Sequence, residues 1–131
     1  MAADESYPDD LRYHPEHDWA RIEGDMATLG ITWYAQDALG EIVHFEPPEE
    51  GSSVARGESY GEVESVKAVS EVIAPLSGEV VEVNGKVVAE PETINDAPHS
   101  DGWLVRIRLT DPSEADELLD AAAYRELLAD Q

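Results

Sequence analysis

The sequence predicts an α+β protein that is mostly β, a small strand-rich sandwich with helices attached at its edges. Short β-prone runs separated by turn residues fill most of the chain between Gly57 and Leu109. Helical patterns occur in only two places, directly after Ile31 and near the C-terminus. With 131 residues, 42% of them hydrophobic, the chain is long enough to bury a core of its own.

The first elements are a hairpin and a short helix. The segment WARIEGDMATLGI alternates apolar and polar residues on both sides of a Glu-Gly-Asp turn, which predicts two antiparallel strands. The helix follows in TWYAQDALG, with Thr32 as N-cap and Gly40 as its end. The apolar residues expected on the hairpin are Ala20, Ile22, Ala27, Leu29 and Ile31, and those sharing a helix face are Ala35, Ala38 and Leu39.

The middle of the chain is predicted to be almost entirely β. EIVHFE is a strand that ends at Pro47-Pro48, and SYGEVESV and SEVIAP are strands on either side of Lys67. LSGEVVEVNG is a further strand between turns at Ser77-Gly78 and Asn84-Gly85. In WLVRIRL the inward residues are Trp103, Val105, Ile107 and Leu109, and the outward ones are Arg106 and Arg108.

The C-terminal segment DPSEADELLDAAAYRELLAD is predicted to form one or two helices. Ser113 and Asp120 are the candidate N-caps. The apolar surface of these helices comes from Leu118, Leu119, Ala122, Tyr124, Leu127 and Leu128.

These elements predict one domain over residues 13–131, preceded by a flexible arm over residues 1–12. No run of 18 apolar residues is present, so no membrane span is expected. The acidic N-terminus lacks the basic and apolar regions of a signal peptide, which favours a cytoplasmic protein. The chain has no cysteine, so it cannot itself supply a disulfide, a thiolate ligand or a cysteine nucleophile.

The composition is strongly acidic. Thirty Asp and Glu against eight Lys and Arg give a formal net charge of −22 at pH 7. Such a surface repels phosphate backbones and anionic membranes, so we expect neither nucleic-acid nor membrane partners. The charge either forms a docking surface for basic proteins or adapts the protein to a salty cytoplasm in which self-repulsion is screened. The spread of acids over the whole chain favours the second interpretation.

The histidines do not predict a metal site. His14 and His17 are three residues apart, but Pro15 directs His14 away from helical geometry, so the two rings are not expected to converge. His44 is predicted in a strand and His99 in a loop, and neither belongs to a catalytic motif. No nucleophile elbow or phosphate-binding loop is present, so we expect no catalytic residue and no enzyme activity from the chain's own groups.

Lys67 is the most informative residue. It is one of only two lysines, and it lies between two strand-like runs, where a hairpin tip is expected. An exposed lysine amine has a pKa near 10.4 and is a poor nucleophile at neutral pH, which disfavours Schiff-base catalysis. An ordinary solvent-facing lysine that pairs with Glu64 or Glu71 is the simplest interpretation. The alternative is an attachment point for a cofactor that another enzyme adds.

The segment GEVESVKAVSEVIAPLSGEVVEVN resembles the lipoyl-attachment segment of the glycine cleavage system H proteins. The resemblance extends in order over roughly residues 13 to 128. It includes YHPEHDWA, GITWYAQDALGEIVHFEPPEEG, INDAPHSDGWLVRIRL and DPSEADELLDAAAYREL. It implies a lipoyl-domain-like barrel-sandwich hybrid of two small antiparallel sheets, with a short helix in the N-terminal half and helices at the C-terminus.

The resemblance also implies a function as a lipoylated carrier. Lys67 would carry lipoic acid in amide linkage, within a recognition frame formed by Glu64, Ser65, Val66 and Ala68. The carrier would take an aminomethyl group from a pyridoxal-phosphate glycine decarboxylase to a tetrahydrofolate-dependent aminomethyltransferase. Dihydrolipoamide dehydrogenase would then reoxidise it, and a lipoyl-attaching enzyme would be the fourth partner.

Two acidic residues are implied to line a cleft for the folded-back arm. Asp18 and Glu71 stand at positions where the family places acidic or polar cleft residues. We expect them to accept hydrogen bonds from the cationic amine of the loaded arm. The alternative is that they are two ordinary surface acids.

Other carrier functions remain open at this point. A lipoyl or biotinyl module of a different multienzyme system would share an exposed lysine. However, biotin carriers usually have methionine beside that lysine, whereas Val66 and Ala68 stand here. Lipoyl modules of 2-oxo-acid dehydrogenases lack the GITWYAQDALG block. A lipoyl-relay or donor protein would share Lys67 as well.

Overall fold

In the computed structural model, which describes residues 6–130, the chain forms nine strands, four α-helices and one 3-10 helix. The strands are β1 Arg12–His14, β2 Asp18–Glu23, β3 Met26–Ile31, β4 Ile42–Glu46, β5 Ser53–Val54, β6 Ser59–Ser65, β7 Val69–Ile73, β8 Gly78–Val83 and β9 Val105–Leu109. The helices are α1 Trp33–Leu39, α2 Gly85–Ala89, α3 Thr93–Asp96 and α4 Ala121–Ala129, with the 3-10 helix at Pro112–Glu117.

The strands build two antiparallel sheets, which confirms the predicted fold class. One sheet has six strands in the order β1-β2-β3-β9-β8-β5, and the other has three in the order β4-β6-β7. Every strand pair is antiparallel, and neither sheet closes on itself. The three-stranded sheet contains the hairpin on either side of Lys67, so this small sheet positions the candidate site.

The main core is a single apolar cluster that receives side chains from both sheets. Leu29 and Ile107 come from the larger sheet, Phe45 and Val63 from the smaller one, and all four are fully buried. A second cluster is aromatic and lies between β1, β2 and α4. It contains Tyr7, Leu11, Tyr13, Trp19, Ala121 and Tyr124.

The N-terminal hairpin and α1 confirm their predictions, with one exception. β2 and β3 pair with Ile22 opposite Ala27, so the turn falls where the sequence placed it. The side chain of Thr32 accepts the Ala35 N–H as N-cap, and Gly40 ends the helix at a φ of 83°. Ala38, however, is exposed, whereas Gln36 is buried, because its side chain joins a hydrogen-bond network beneath α1.

The predicted all-β middle is wrong between β8 and β9. Asn84-Gly85 does not form a hairpin turn, because the Asn84 side chain accepts the Lys86 N–H and caps α2. The helix α3 follows at once. The turn expected at Ser77-Gly78 also falls earlier, since Gly78 is already the first residue of β8. These helices are five and four residues long, too short to show a helical period in the sequence.

The last strand and C-terminal helices largely follow the predictions. β9 alternates as expected, with Val105, Ile107 and Leu109 inside and Arg106 and Arg108 outside. Trp103 is half-buried beneath the guanidinium of Arg106, whereas its neighbour Leu104 is fully buried.

The helix caps give one confirmation and one correction. Asp120 caps α4 as predicted, but Asp111 rather than Ser113 caps the 3-10 helix. Ala122 is exposed, and Ala121 takes the buried position instead. The apolar face of α4 is therefore set by contacts with β1 and not by α4's own sequence pattern alone.

The N-terminal segment differs from the predicted loose arm. Residues 1–5 lie outside the described residues. Tyr7 and Leu11 are buried in the aromatic cluster, where the Tyr7 ring meets Tyr13 and Tyr124 edge-on. Two apolar side chains in an otherwise polar stretch are enough to pack this segment. Among residues 6–130, no helix is long and apolar enough to cross a membrane.

Candidate functional site

Lys67 lies at the tip of the β6–β7 hairpin, as predicted. The tip is closed by a backbone hydrogen bond from the Ser65 N–H to the Ala68 carbonyl at 2.8 Å. The Ser65 hydroxyl oxygen also accepts the backbone N–H groups of Lys67 at 3.3 Å and Ala68 at 3.1 Å. The three bonds fix the backbone on both sides of Lys67, so the amine is mounted on an ordered turn.

The tip is also fastened to the rest of the molecule. The Val66 N–H donates to the Glu41 carbonyl at 3.1 Å, which ties the tip to the residue before β4. Behind it, the Asn95 amide donates to the Gly40 carbonyl and the Gln36 side chain, and its oxygen accepts the Ile42 N–H, each at 2.9 Å. A single half-buried asparagine thus joins α3, α1 and the start of β4 beneath the hairpin.

The Lys67 side chain itself is exposed. Its stem lies over the end of α1, since a Cβ placed on Gly40 would be 3.7 Å from the lysine Cε. No ion pair involves this ammonium within residues 6–130. The predicted pairing with Glu64 or Glu71 is therefore not formed, and the amine remains accessible for acylation.

The four residues of the predicted recognition frame differ in solvent exposure. Glu64, Val66 and Ala68 are exposed, and Val66 keeps 69% of its surface accessible. Ser65 is only 5% exposed, and its hydroxyl is occupied by the turn. Ser65 therefore shapes the tip instead of being displayed at the tip surface.

The two predicted cleft residues occupy different environments. Glu71 is exposed on β7, whereas Asp18 is 2% exposed and its Oδ1 accepts the Ile73 N–H at 3.3 Å. Burial raises the pKa of Asp18 well above its ordinary value, and the backbone hydrogen bond opposes that shift. As the structure stands, the two carboxyl groups do not line one exposed cleft, because Asp18 fastens β2 to β7.

The buried hydroxyl of Tyr60 lies in the electrostatic field of Asp18. Tyr60 is 5% exposed, and its hydroxyl has no hydrogen-bond partner among the described residues. Burial, followed by the charge of Asp18, raises the pKa of Tyr60 well above its ordinary value.

The rings of His14, His17 and His99 each make a hydrogen-bond contact within the fold. His17 takes a left-handed backbone conformation, with a φ of 74°, and its Nδ1 lies 2.7 Å from the Tyr124 hydroxyl. His14 Nδ1 accepts the Glu16 N–H, and His99 Nε2 accepts the Trp33 N–H at 3.1 Å. Burial lowers the pKa of His14 and His17 and lowers that of His99 to about 4. Residues 6–130 contain no group of three acidic or histidine side chains arranged to hold a metal ion.

The second lysine differs from the first in its surroundings. Lys86 is the second residue of α2, and its ammonium lies 3.8 Å from the Asp101 carboxylate. The helix holds its backbone in a conformation unlike a hairpin tip. The two lysines are therefore distinguishable by their backbone context.

Sequence reasoning missed the residues that support the tip. Asn95 lies in a segment without a helical period, and the partners of its amide come from residues more than fifty positions away. Ser65 belongs to the predicted recognition frame, although a serine two residues before a tip residue is a common turn signal. That signal was available in the sequence, whereas the contacts of Asn95 required the fold.

Comparison with known proteins gives a consistent result. The family model described as "Glycine cleavage H-protein" matches residues 11–131. The glycine cleavage system H protein of Symbiobacterium thermophilum is 51% identical over 117 residues, covering 89% of this chain and 91% of that protein. A probable glycine cleavage system H protein of Haloarcula marismortui is 50% identical over 119 residues, covering 91% and 94%.

A solved structure agrees with the sequence relatives. The crystal structure of a glycine cleavage system H protein from Mycobacterium marinum superposes with a TM-score of 0.86 at 42% identity. The match covers 93% of this chain and 98% of that one. Both sheets and the hairpin that carries Lys67 thus belong to a fold already seen in a protein of that name.

Proposed function

We propose that this chain, which belongs to the glycine cleavage H-protein family, presents a lipoyl group on Lys67 as the carrier of the glycine cleavage system. The observation that supports this assignment is an exposed lysine on a hydrogen-bonded hairpin tip, whose ammonium makes no ion pair within residues 6–130. No catalytic role is assigned to the chain's own side chains. The family is one of carriers, and the cofactor supplies the reactive group.

The surroundings of Lys67 fit an amide-linked lipoyl group. The ammonium is accessible, the turn beneath it is closed by Ser65, and the neighbouring Val66 and Ala68 are both exposed. When bound, the lipoyl group supplies a dithiolane that accepts an aminomethyl group and can be reoxidised. It also supplies redox sulfur that this cysteine-free chain lacks.

The chain contributes position and reach. With a stem of about 1.5 Å per bond, an acylated lysine forms an arm of roughly 10–15 Å. Ser65, Glu41 and Asn95 fix its base, so the arm searches a limited volume in front of the tip. Tethering raises the effective concentration of the cargo at a docked enzyme, and a fixed base limits unproductive orientations.

Four partners follow from the proposed function. They are a pyridoxal-phosphate glycine decarboxylase, a tetrahydrofolate-dependent aminomethyltransferase, dihydrolipoamide dehydrogenase and the enzyme that attaches the lipoyl group. The predicted role of Glu71 in holding the loaded arm remains part of this proposal. For Asp18 the same role requires the carboxyl group to leave its buried contact with Ile73.

Mass spectrometry of protein purified from its native host tests the assignment. We expect a lipoyl mass increment on the peptide that contains Lys67, its loss in Lys67→Arg, and its retention in Lys86→Arg. Biotin on that peptide, or an unmodified lysine under lipoate-replete conditions, would contradict the proposal. Glycine–bicarbonate exchange with the decarboxylase then separates glycine cleavage from a lipoyl-donor role, since a donor would be lipoylated but inactive.

A further inference from the structure

Tyr124 on α4 makes hydrogen bonds that the proposed function does not use. Its side chain is fully buried, and its hydroxyl oxygen lies 2.9 Å from the Thr32 Oγ1 and 2.7 Å from the His17 Nδ1. Thr32 is the N-cap of α1, and His17 lies in the turn before β2. When Thr32 donates to Tyr124 and Tyr124 donates to the ring of His17, all of these side chains are satisfied. One hydroxyl of the C-terminal helix therefore connects to two segments near the N-terminus.

His17 contributes a second restraint at the same place. Its φ of 74° lies in the left-handed region, which residues other than glycine seldom adopt and which persists only where the surrounding contacts outweigh its cost. The His17 carbonyl accepts the Thr32 N–H at 3.1 Å, and the centroid of its ring lies 4.5 Å from that of Tyr34 in α1. Thr32 is therefore held through its backbone by His17 and through its hydroxyl by Tyr124.

The opposite end of α1 lies under the lysine hairpin. Gly40 ends the helix beneath the Lys67 stem, and the Glu41 carbonyl accepts the Val66 N–H at 3.1 Å. α1 has only seven residues, and an isolated helix of that length is unstable in water. Its order therefore depends on contacts at both ends, so a restraint at Thr32 also acts on the residues that support the tip.

We infer that Tyr124 is a positioning residue for Lys67, because its hydroxyl holds the start of α1 and α1 transmits that restraint to the hairpin tip. This inference rests on the proposed function, since it takes Lys67 as the lipoyl attachment point. Without the hydroxyl, a smaller fraction of molecules would hold the tip in the conformation that the lipoyl-attaching enzyme binds. The apparent affinity of that enzyme falls in proportion to the competent fraction. A hydroxyl with only a structural role would instead lower the stability of the fold without changing the tip.

Tyr13 provides a matched control, because its ring stacks on the ring of Tyr124. The ring centroids are 4.7 Å apart, the planes differ by 8°, and both side chains are fully buried. The Tyr13 hydroxyl donates to the Pro8 carbonyl at 2.8 Å, in the N-terminal segment and not at α1. Tyr13→Phe and Tyr124→Phe therefore each remove one hydroxyl from the same stack, but only Tyr124→Phe releases the cap of α1.

Amide hydrogen exchange of the unmodified chain tests the coupling directly. In Tyr124→Phe, exchange should become about fivefold to tenfold faster at the Gln36 amide of α1 and the Val66 amide of the tip, as expected for the loss of one hydrogen bond. Tyr13→Phe should leave both amides within about twofold of wild type. Amides of β8 and β9 report the change in overall stability, which is subtracted for each variant.

The two partners of Tyr124 provide independent variants. Thr32→Ser keeps the hydroxyl and should exchange as wild type does, whereas Thr32→Val should show at least the effect of Tyr124→Phe. His17→Asn removes the ring acceptor while keeping a residue that tolerates the left-handed backbone, and it should also speed exchange at Val66.

Lipoylation kinetics extend the test to the function. The KM of the lipoyl-attaching enzyme for the unmodified chain should rise about threefold in Tyr124→Phe with kcat nearly unchanged, and it should not rise in Tyr13→Phe. Unchanged exchange at Val66 in Tyr124→Phe, an equal increase in Tyr13→Phe, or an unchanged KM in Tyr124→Phe would each overturn the inference. Failure of the wild-type chain to be lipoylated would instead contradict the proposed function, since the exchange experiment does not depend on lipoylation.

Discussion

The two lysines of this chain lie in contrasting regions. Lys67 stands at a hairpin tip with an accessible ammonium, whereas Lys86 lies in α2 beside the Asp101 carboxylate. Each region is supported by an asparagine that makes three hydrogen bonds. Asn95 holds the elements beneath the tip, and Asn84 caps α2 and donates to the Asp101 and Trp103 carbonyls. Two asparagines with equal numbers of side-chain hydrogen bonds therefore support two lysines that differ in backbone conformation.

Because both residues are lysines, the proposed attachment to Lys67 depends on how each side chain is presented and not on residue type. The exposed Asp101 pair restrains Lys86 only weakly, since pairs of this kind contribute at most about 1 kcal/mol. The larger difference is the backbone. Lys86 lies within the helical backbone of α2, whereas the Ser65 turn places Lys67 beyond the last residue of β6.

The largest expected effect is the loss of stability on replacing Asn95, which supports the elements beneath the tip. Asn95→Ala should lower the free energy of unfolding by about 2–4 kcal/mol, because it leaves the Ile42 N–H and the Gly40 carbonyl without their partner. It should also slow lipoylation of Lys67, since the base of the tip loosens. Urea unfolding and a time course of the lipoyl mass increment measure the two effects.

Asn84→Ala is the matched control for that prediction. It removes as many hydrogen bonds and should cost a similar free energy of unfolding, but it acts on the helix of Lys86. Lipoylation of Lys67 should then proceed at the wild-type rate under folded conditions. Equal slowing in both variants would show that overall stability, and not the tip, governs attachment.

A smaller loss of stability is expected when low pH protonates His99, whose ring accepts the Trp33 N–H at the start of α1. His99 has a folded pKa of about 4, below its ordinary value of 6.5, because burial and then the charge of Arg21 disfavour its cation. The unfolded state therefore binds more protons between these values, and the stability from neutral His99 is lost as pH falls from 6.5 through 4. The loss is at most about 3 kcal/mol.

The His99 prediction is measured as a difference, because Asp18 acts in the opposite direction. The raised pKa of Asp18 stabilises the fold at low pH, and that contribution is lost as pH rises. The difference in unfolding free energy between wild type and His99→Gln should therefore shrink on acidification from pH 7 to pH 4. A pH-independent difference would show that His99 does not titrate in this range.

The smallest expected effect belongs to the turn itself. Ser65→Ala removes one buried hydroxyl that accepts two backbone N–H groups, at a cost of about 1–2 kcal/mol. Because the bond between the Ser65 N–H and the Ala68 carbonyl remains, the hairpin should still form. Amide hydrogen exchange should rise at Lys67 and Ala68 and stay unchanged in α2. Ser65→Thr, which keeps the hydroxyl, should restore protection.

Much of the architecture could be predicted from the sequence because it depends on local periods and turn residues. The β2–β3 hairpin, α1 with its Thr32 cap, and the alternation of β9 were all expected, as was the exposed tip at Lys67. Each depends on residues within a few positions of one another. The resemblance to lipoyl carriers came from such local blocks in their order along the chain.

The tertiary structure decided what depends on partners far apart in the chain. It buried Asp18 against β7, placed Asn95 beneath the hairpin and packed Tyr7 and Leu11 onto an aromatic cluster. It also formed α2 and α3, which are too short to leave a period, and it aligned three glutamates across neighbouring strands.

The sequence by itself determined that Lys67 would be mounted on a stiff turn. Only the packing of distant elements decided what holds that turn in place and which surface surrounds it, because burial and cross-strand register are properties of the assembled chain.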